Sequence, residues 1–135
     1  MKGKPLLIFS SALIAIVIVC SAFGAHVLNP GLEDKYIRTL ATANQYFLLM
    51  SIGLFALGIL NSKHPSFSRS FWLIFTGLIC FSGSLYVIVL CKYFGTSIPM
   101  IVGPITPIGG VLMIVGWLSV ARSITKLDTS SSNDI

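Results

Sequence analysis

The stretch Phe71–Cys91, FWLIFTGLICFSGSLYVIVLC, runs for 21 residues without one charged side chain. A helix needs about 20 apolar residues to cross about 30 Å of hydrocarbon, and this stretch meets that length unaided. Three more apolar runs lie on either side of it: Leu6–Ala25, Thr42–Leu60 and Met100–Ala121. A 135-residue chain cannot hide four such segments inside a water-soluble core. In lipid, each segment must satisfy its own backbone hydrogen bonds, which for single apolar runs means helix. The sequence therefore predicts an all-α integral membrane four-helix bundle.

The composition agrees. Hydrophobic residues make up 55% of the chain and charged residues 10%, with a mean hydropathy of +0.91. Soluble proteins carry about 25% charged residues, so the deficit matches a surface that faces lipid. The net charge of +5 sits in short groups between the apolar runs. Such groups orient a membrane chain and do not form a nucleic-acid patch. One transmembrane domain, residues 1–127, fills the chain. The polar residues 128–135 have little to bury and read as a disordered tail.

Between the first two runs, Asn29-Pro30-Gly31 breaks the helix. Residues 32–40 follow, with apolar side chains at 32, 36, 37 and 40 in helical spacing. This spacing predicts a short interfacial helix leading into span two. Span four starts among Pro99, Pro104 and Pro107. A proline inside a helix costs about 3 kcal/mol, whereas Thr is a good N-cap and Pro is favoured at the first helical position. The expectation is a proline-broken start, with regular helix from Pro107 and Thr106 as its cap.

The N-terminal run after Lys2 and Lys4 is longer than the usual core of a cleaved signal, and Val19 before Cys20 does not fit a lipoprotein site. It reads as a retained first span. With four crossings, Lys2, Lys4, Lys63, Arg69, Arg122 and Lys126 share one side and Lys35, Arg38 and Lys92 the other. The positive-inside rule then puts both termini in the cytoplasm. Trp72 and Trp117 fit interfacial anchors on that side.

No catalytic triad, metal cluster, phosphate loop or carboxylate pair is present in the pattern, and no cofactor is called for. Cys20, Cys80 and Cys91 fall in or at the end of apolar runs at spacings that match no zinc or redox motif, so they read as small hydrophobes. The polar residues of the spans are more informative. His26, Gln45, Tyr46, Ser82, Tyr86 and Thr106 come from all four spans and fall at similar depth in the outer half. Ser11, Ala15, Ile18, Ala22 and Ala25 form a stripe that predicts the inward face of span one, with His26 at its edge. Ser82 and Tyr86 share a face of span three, and Gly109 and Gly116 share one of span four. The polar cluster has two readings. It ties helices together, at about 0.6–2 kcal/mol per bond, or it lines a pocket for a proton, a quinone-like head group or a lipid.

Several segments resemble the YgdD-like family of small four-helix membrane proteins of unknown function. They are Ala22-Phe23-Gly24-Ala25-His26, Thr42-Ala43-Asn44-Gln45-Tyr46, Phe81-Ser82-Gly83-Ser84-Leu85-Tyr86 and Ile105-Thr106-Pro107-Ile108-Gly109-Gly110, followed by Gly116-Trp117. The resemblance implies a bacterial inner-membrane protein with relatives in mitochondria, and supplies no reaction. The family's Tyr-His pair is replaced here by Leu49 and Met50, which removes a second histidine from any mechanism built on His26. The functional expectation is a non-enzymatic accessory or structural membrane protein, in a larger assembly or a homo-oligomer. The alternative is a small-molecule binder or carrier using the polar cluster. An enzyme ranks last, because no nucleophile–base pair is visible.

Overall fold

The computed structural model describes residues 3–131, with side chains through residue 127. The expected polar tail, 128–135, lies outside the residues described in full. Four helices make up the structure: α1 (Lys4–Phe23), α2 (Asp34–Lys63), α3 (Ser68–Tyr93) and α4 (Val102–Ser131). All four are long and apolar enough to cross a membrane. Among the described residues there is no strand.

Side-chain pairs fix the directions. Gly3 lies against Gly58 and Ser62, so the start of α1 meets the end of α2. Asn44 meets Tyr86, and Ser70 meets Ser119. The helices therefore run up and down in chain order, with α1 on α2, α2 on α3 and α3 on α4. The first turn of α1, the 64–67 turn and the last turns of α4 share one end of the bundle.

The tightest seam joins α3 and α4. A Cβ at Gly109 would lie 2.7 Å from the Gly77 carbonyl oxygen, and one at Gly77 would lie 2.8 Å from that of Gly109. Gly116, two turns beyond Gly109, meets Ile74. Apolar side chains gain nothing by leaving lipid for one another, so close backbone approach is what holds such a pair. The Gly109–Gly116 face expected from spacing is this seam. Around it Leu54, Phe71, Ile74, Leu78 and Met113 fill the bundle centre.

The first connection differs from expectation. α1 ends at Phe23, widens into a π turn over Gly24–Leu28 and tightens into a 3-10 turn at Asn29–Gly31. In a regular helix the Pro30 ring would press on the carbonyl of His26, four residues back. The wider turn relieves this, and the Asn29 N–H donates to Gly24. The short interfacial helix predicted over 32–40 is not a separate element. It forms the first turns of α2, which continues unbroken for 30 residues. Nothing between Asp34 and Lys63 can break a helix, and at about 1.5 Å per residue α2 overshoots the hydrocarbon and supplies its own interfacial turns.

Two further expectations are corrected. Regular helix in α4 starts at Val102, five residues before Pro107, so Thr106 is inside the helix and is not its cap. Pro104 occupies the first turn, where N–H groups have no helical partner anyway. Only Pro107 removes a bond, and Gly103, whose carbonyl would accept it, is exposed with open space beside it. The stripe on α1 also points outward: Leu6, Ser10, Leu13 and Val17 are buried, while Ser11, Ala15, Ile18, Ala22 and Ala25 are exposed. At this crossing α2 contributes a small residue, Gly58, which receives Leu7, so α1 can present larger side chains. Trp117 lies five residues before Arg122, about 7–8 Å along the helix. Trp72, one turn into α3, packs on Phe9, Phe71 and Phe75.

Candidate functional site

Helical geometry distributes the polar residues of the half away from the termini around α3. At about 100° per residue, Ser82 and Tyr86 share one face while Ser84 looks the opposite way. The Tyr86 hydroxyl accordingly reaches α2, where it donates to Asn44 Oδ1 at 2.6 Å. Its ring meets Phe47 edge-on with centroids 6.2 Å apart. Ser84 reaches α4 and lies 2.6 Å from Thr106 Oγ1. Ser84 also has the Phe81 carbonyl as acceptor at 2.8 Å and Thr106 the Val102 carbonyl at 3.4 Å, so either hydroxyl can supply the proton between them. A third link, Ser70 to Ser119 at 3.0 Å, joins α3 and α4 near the termini.

The six residues picked from sequence do not form one group. Tyr86 sits in the α2–α3 link and Thr106 in the α3–α4 link, on opposite sides of α3. Ser82 is 2% exposed and its hydroxyl has no hydrogen-bond partner. It borders a cavity of about 90 Å³ together with Phe47 and Tyr86. Tyr46 is 38% exposed and its ring lies 4.7 Å from that of Phe81. His26 and Gln45 face outward, His26 within the π turn. Asn44 and Ser84 are the members that sequence reasoning missed. Both were legible from neighbours: Asn44 lies four residues after Leu40 and three before Phe47, both buried, and Ser84 lies seven after Gly77 on the α4-facing side.

Tyr46 and Phe81 open onto a groove of about 430 Å³ between α2 and α4, with Met50, Met113 and Trp117. There the Trp117 indole N–H donates to Met50 Sδ at 3.3 Å. A second apolar groove of about 300 Å³ runs from Cys20 and Phe23 to Tyr86. Among the described residues, no three of His, Cys, Asp and Glu gather as a metal site. The hydroxyls at the centre donate to an amide oxygen or a backbone carbonyl, and no base adjoins them in the bonds they make. This chemistry joins helices.

Residues 20–110 match a family described as a protein of unknown function (DUF423). A UPF0382 membrane protein of Staphylococcus saprophyticus is 41% identical over 108 residues, covering 78% of this chain and 84% of its own. The UPF0382 membrane protein YwdK of Bacillus subtilis is 35% identical over 119 residues, 86% of this chain and 90% of its own. One from Schizosaccharomyces pombe is 36% identical over 100 residues, 71% and 80% of the two chains. No solved structure matches the chain significantly. The match across most of the chain, in sequences called membrane proteins and over four membrane-capable helices, shows that this chain belongs to the DUF423, or UPF0382, family of membrane proteins of unknown function.

Proposed function

We propose that this chain is a non-enzymatic accessory or structural protein of the bacterial inner (plasma) membrane, with both termini in the cytoplasm. It works by packing within a membrane assembly, either with other proteins or with further copies of itself. The segments Ala22–His26, Thr42–Tyr46 and Phe81–Tyr86 support reading it as a YgdD-like member of the family. One observation carries the reading: the outer-half hydroxyls of Tyr86, Ser84 and Thr106 are engaged across helix pairs. A buried hydroxyl already tied to a neighbouring helix is poorly placed to bind or turn over a substrate. The basic excess at the end holding the termini supports the orientation.

A second reading has its own support. The orphaned Ser82 hydroxyl beside the small cavity and Tyr86 suits a binder of a quinone-like head group, a lipid or a proton. Tyr86→Phe, purified from native membranes in mild detergent, separates the two. As a structural tie, Tyr86 loses about 0.6–2 kcal/mol of stability on this change, and native mass spectrometry finds the same associated proteins as for the wild type. Loss of a stoichiometric small molecule with little change in stability would favour the binder instead.

A further inference from the structure

The end of the bundle that holds the termini carries a feature the packing account does not use. A cleft of about 800 Å³ opens there between the 64–67 turn, the start of α3 and the last turns of α4. Arg69 and Arg122 line it from two different helices, and Lys126 lines it one turn beyond Arg122. Ser66 and Ser119 add hydroxyls. Ser119 Oγ accepts from Ser70, which leaves its own proton to donate into the cleft. Among the described residues no carboxylate lines it. Glu33 and Asp34, the acids with described side chains, sit at the opposite end of the bundle, at the start of α2. The cleft also lies at the positive end of the α3 dipole.

Arg69 has a second neighbour. It lines a groove of about 480 Å³ that continues down α3 past Trp72, Leu73 and Thr76. A cationic cleft thus runs, through one shared arginine, into an apolar groove on the hydrocarbon side. Arginine presents a planar fork of donors that matches phosphate oxygens two at a time. Basic clefts between transmembrane helices are suited to anionic lipid head groups. A free phosphate would use the cleft and leave the groove unused, whereas a phospholipid uses both.

We propose that the cleft of Arg69 and Arg122 binds the phosphodiester head group of an anionic phospholipid, with an acyl chain lying along Trp72, Leu73 and Thr76. This site is separate from the outer polar ties and needs only that the bundle span a bilayer. The test uses the full chain in zwitterionic detergent, titrated with phosphatidylglycerol, phosphatidylcholine or inorganic phosphate and read by native mass spectrometry. The wild type should retain phosphatidylglycerol in preference to phosphatidylcholine, and inorganic phosphate should not displace it. The double variant R69Q/R122Q should weaken that retention by about 30-fold, the effect of two interfacial cations. R38Q, at the opposite end, should leave it unchanged. Equal retention of the two lipids by the wild type overturns the proposal whether or not the double variant folds. Undiminished retention by a folded double variant also overturns it, and displacement by inorganic phosphate would make the cleft a free-anion site instead.

Discussion

At the scale of single residues, two devices hold this bundle: glycines that let backbones meet and hydroxyls that bridge helices. Gly109 is the sharper case. A Cβ there would press on the backbone of Phe81 and on the Gly77 carbonyl, and backbone atoms in a packed helix cannot step aside. Gly109→Ala should therefore force α3 and α4 apart at a cost of about 1–3 kcal/mol. Gly110→Ala, whose added Cβ would meet only the Phe81 ring at 3.9 Å, should be close to neutral. Thermal unfolding of the two variants in one detergent checks the contrast, and equal behaviour would show that the seam is looser than described. The Gly109–Gly116 face was legible because glycines spaced by seven fall on one side of a helix. The inward face of α1 was not. Small residues alone do not mark the contact face, and at this crossing α2 supplies the small side chain, Gly58.

At the scale of elements, the apolar runs located all four helices and composition located the breaks, but the helix ends shifted. α2 absorbed its interfacial segment because no breaking residue separates Leu40 from Tyr46. α4 began earlier than its prolines suggested because the rule against proline applies to the helix interior and not to the first turn. The end of α3 shows the opposite case, a stop that the chain encodes fully. Gly95 has φ +67°, the left-handed region that favours glycine. Its N–H donates to Lys92 and that of Thr96 to Cys91, the paired bonds of a Schellman turn. The two α4 prolines give an element-level prediction. Pro104→Ala should change stability by less than about 0.5 kcal/mol, since the restored N–H has no helical partner. Pro107→Ala should stabilise α4, because the new N–H can bond to Gly103, and by no more than the roughly 3 kcal/mol an interior proline costs. Melting curves check both, and a destabilised Pro107→Ala would mean that the bundle needs the bend.

At the scale of the whole molecule, the two ends differ in character. One end gathers Lys4, Lys63, Arg69, Arg122 and Lys126, while the other carries Lys35, Arg38 and Lys92 beside Glu33 and Asp34. The hydrogen-bonded links Tyr86–Asn44 and Ser84–Thr106 lie toward the second end, and the arginine cleft lies at the first. The membrane class of the chain was open in its sequence from one 21-residue stretch. The grouping of its polar residues was not, because it depends on which side of α3 each residue faces. Depth along a helix follows from counting, but facing follows from packing. The proposed function rests on four crossings with the basic end in the cytoplasm. Reporter fusions test this most directly, placed at residue 127, in the 64–67 turn and in the loop around Thr96. The first two should report a cytoplasmic position and the third an external one. A C-terminal reporter on the opposite side from the 64–67 turn would mean that one helix does not cross, and would contradict the account.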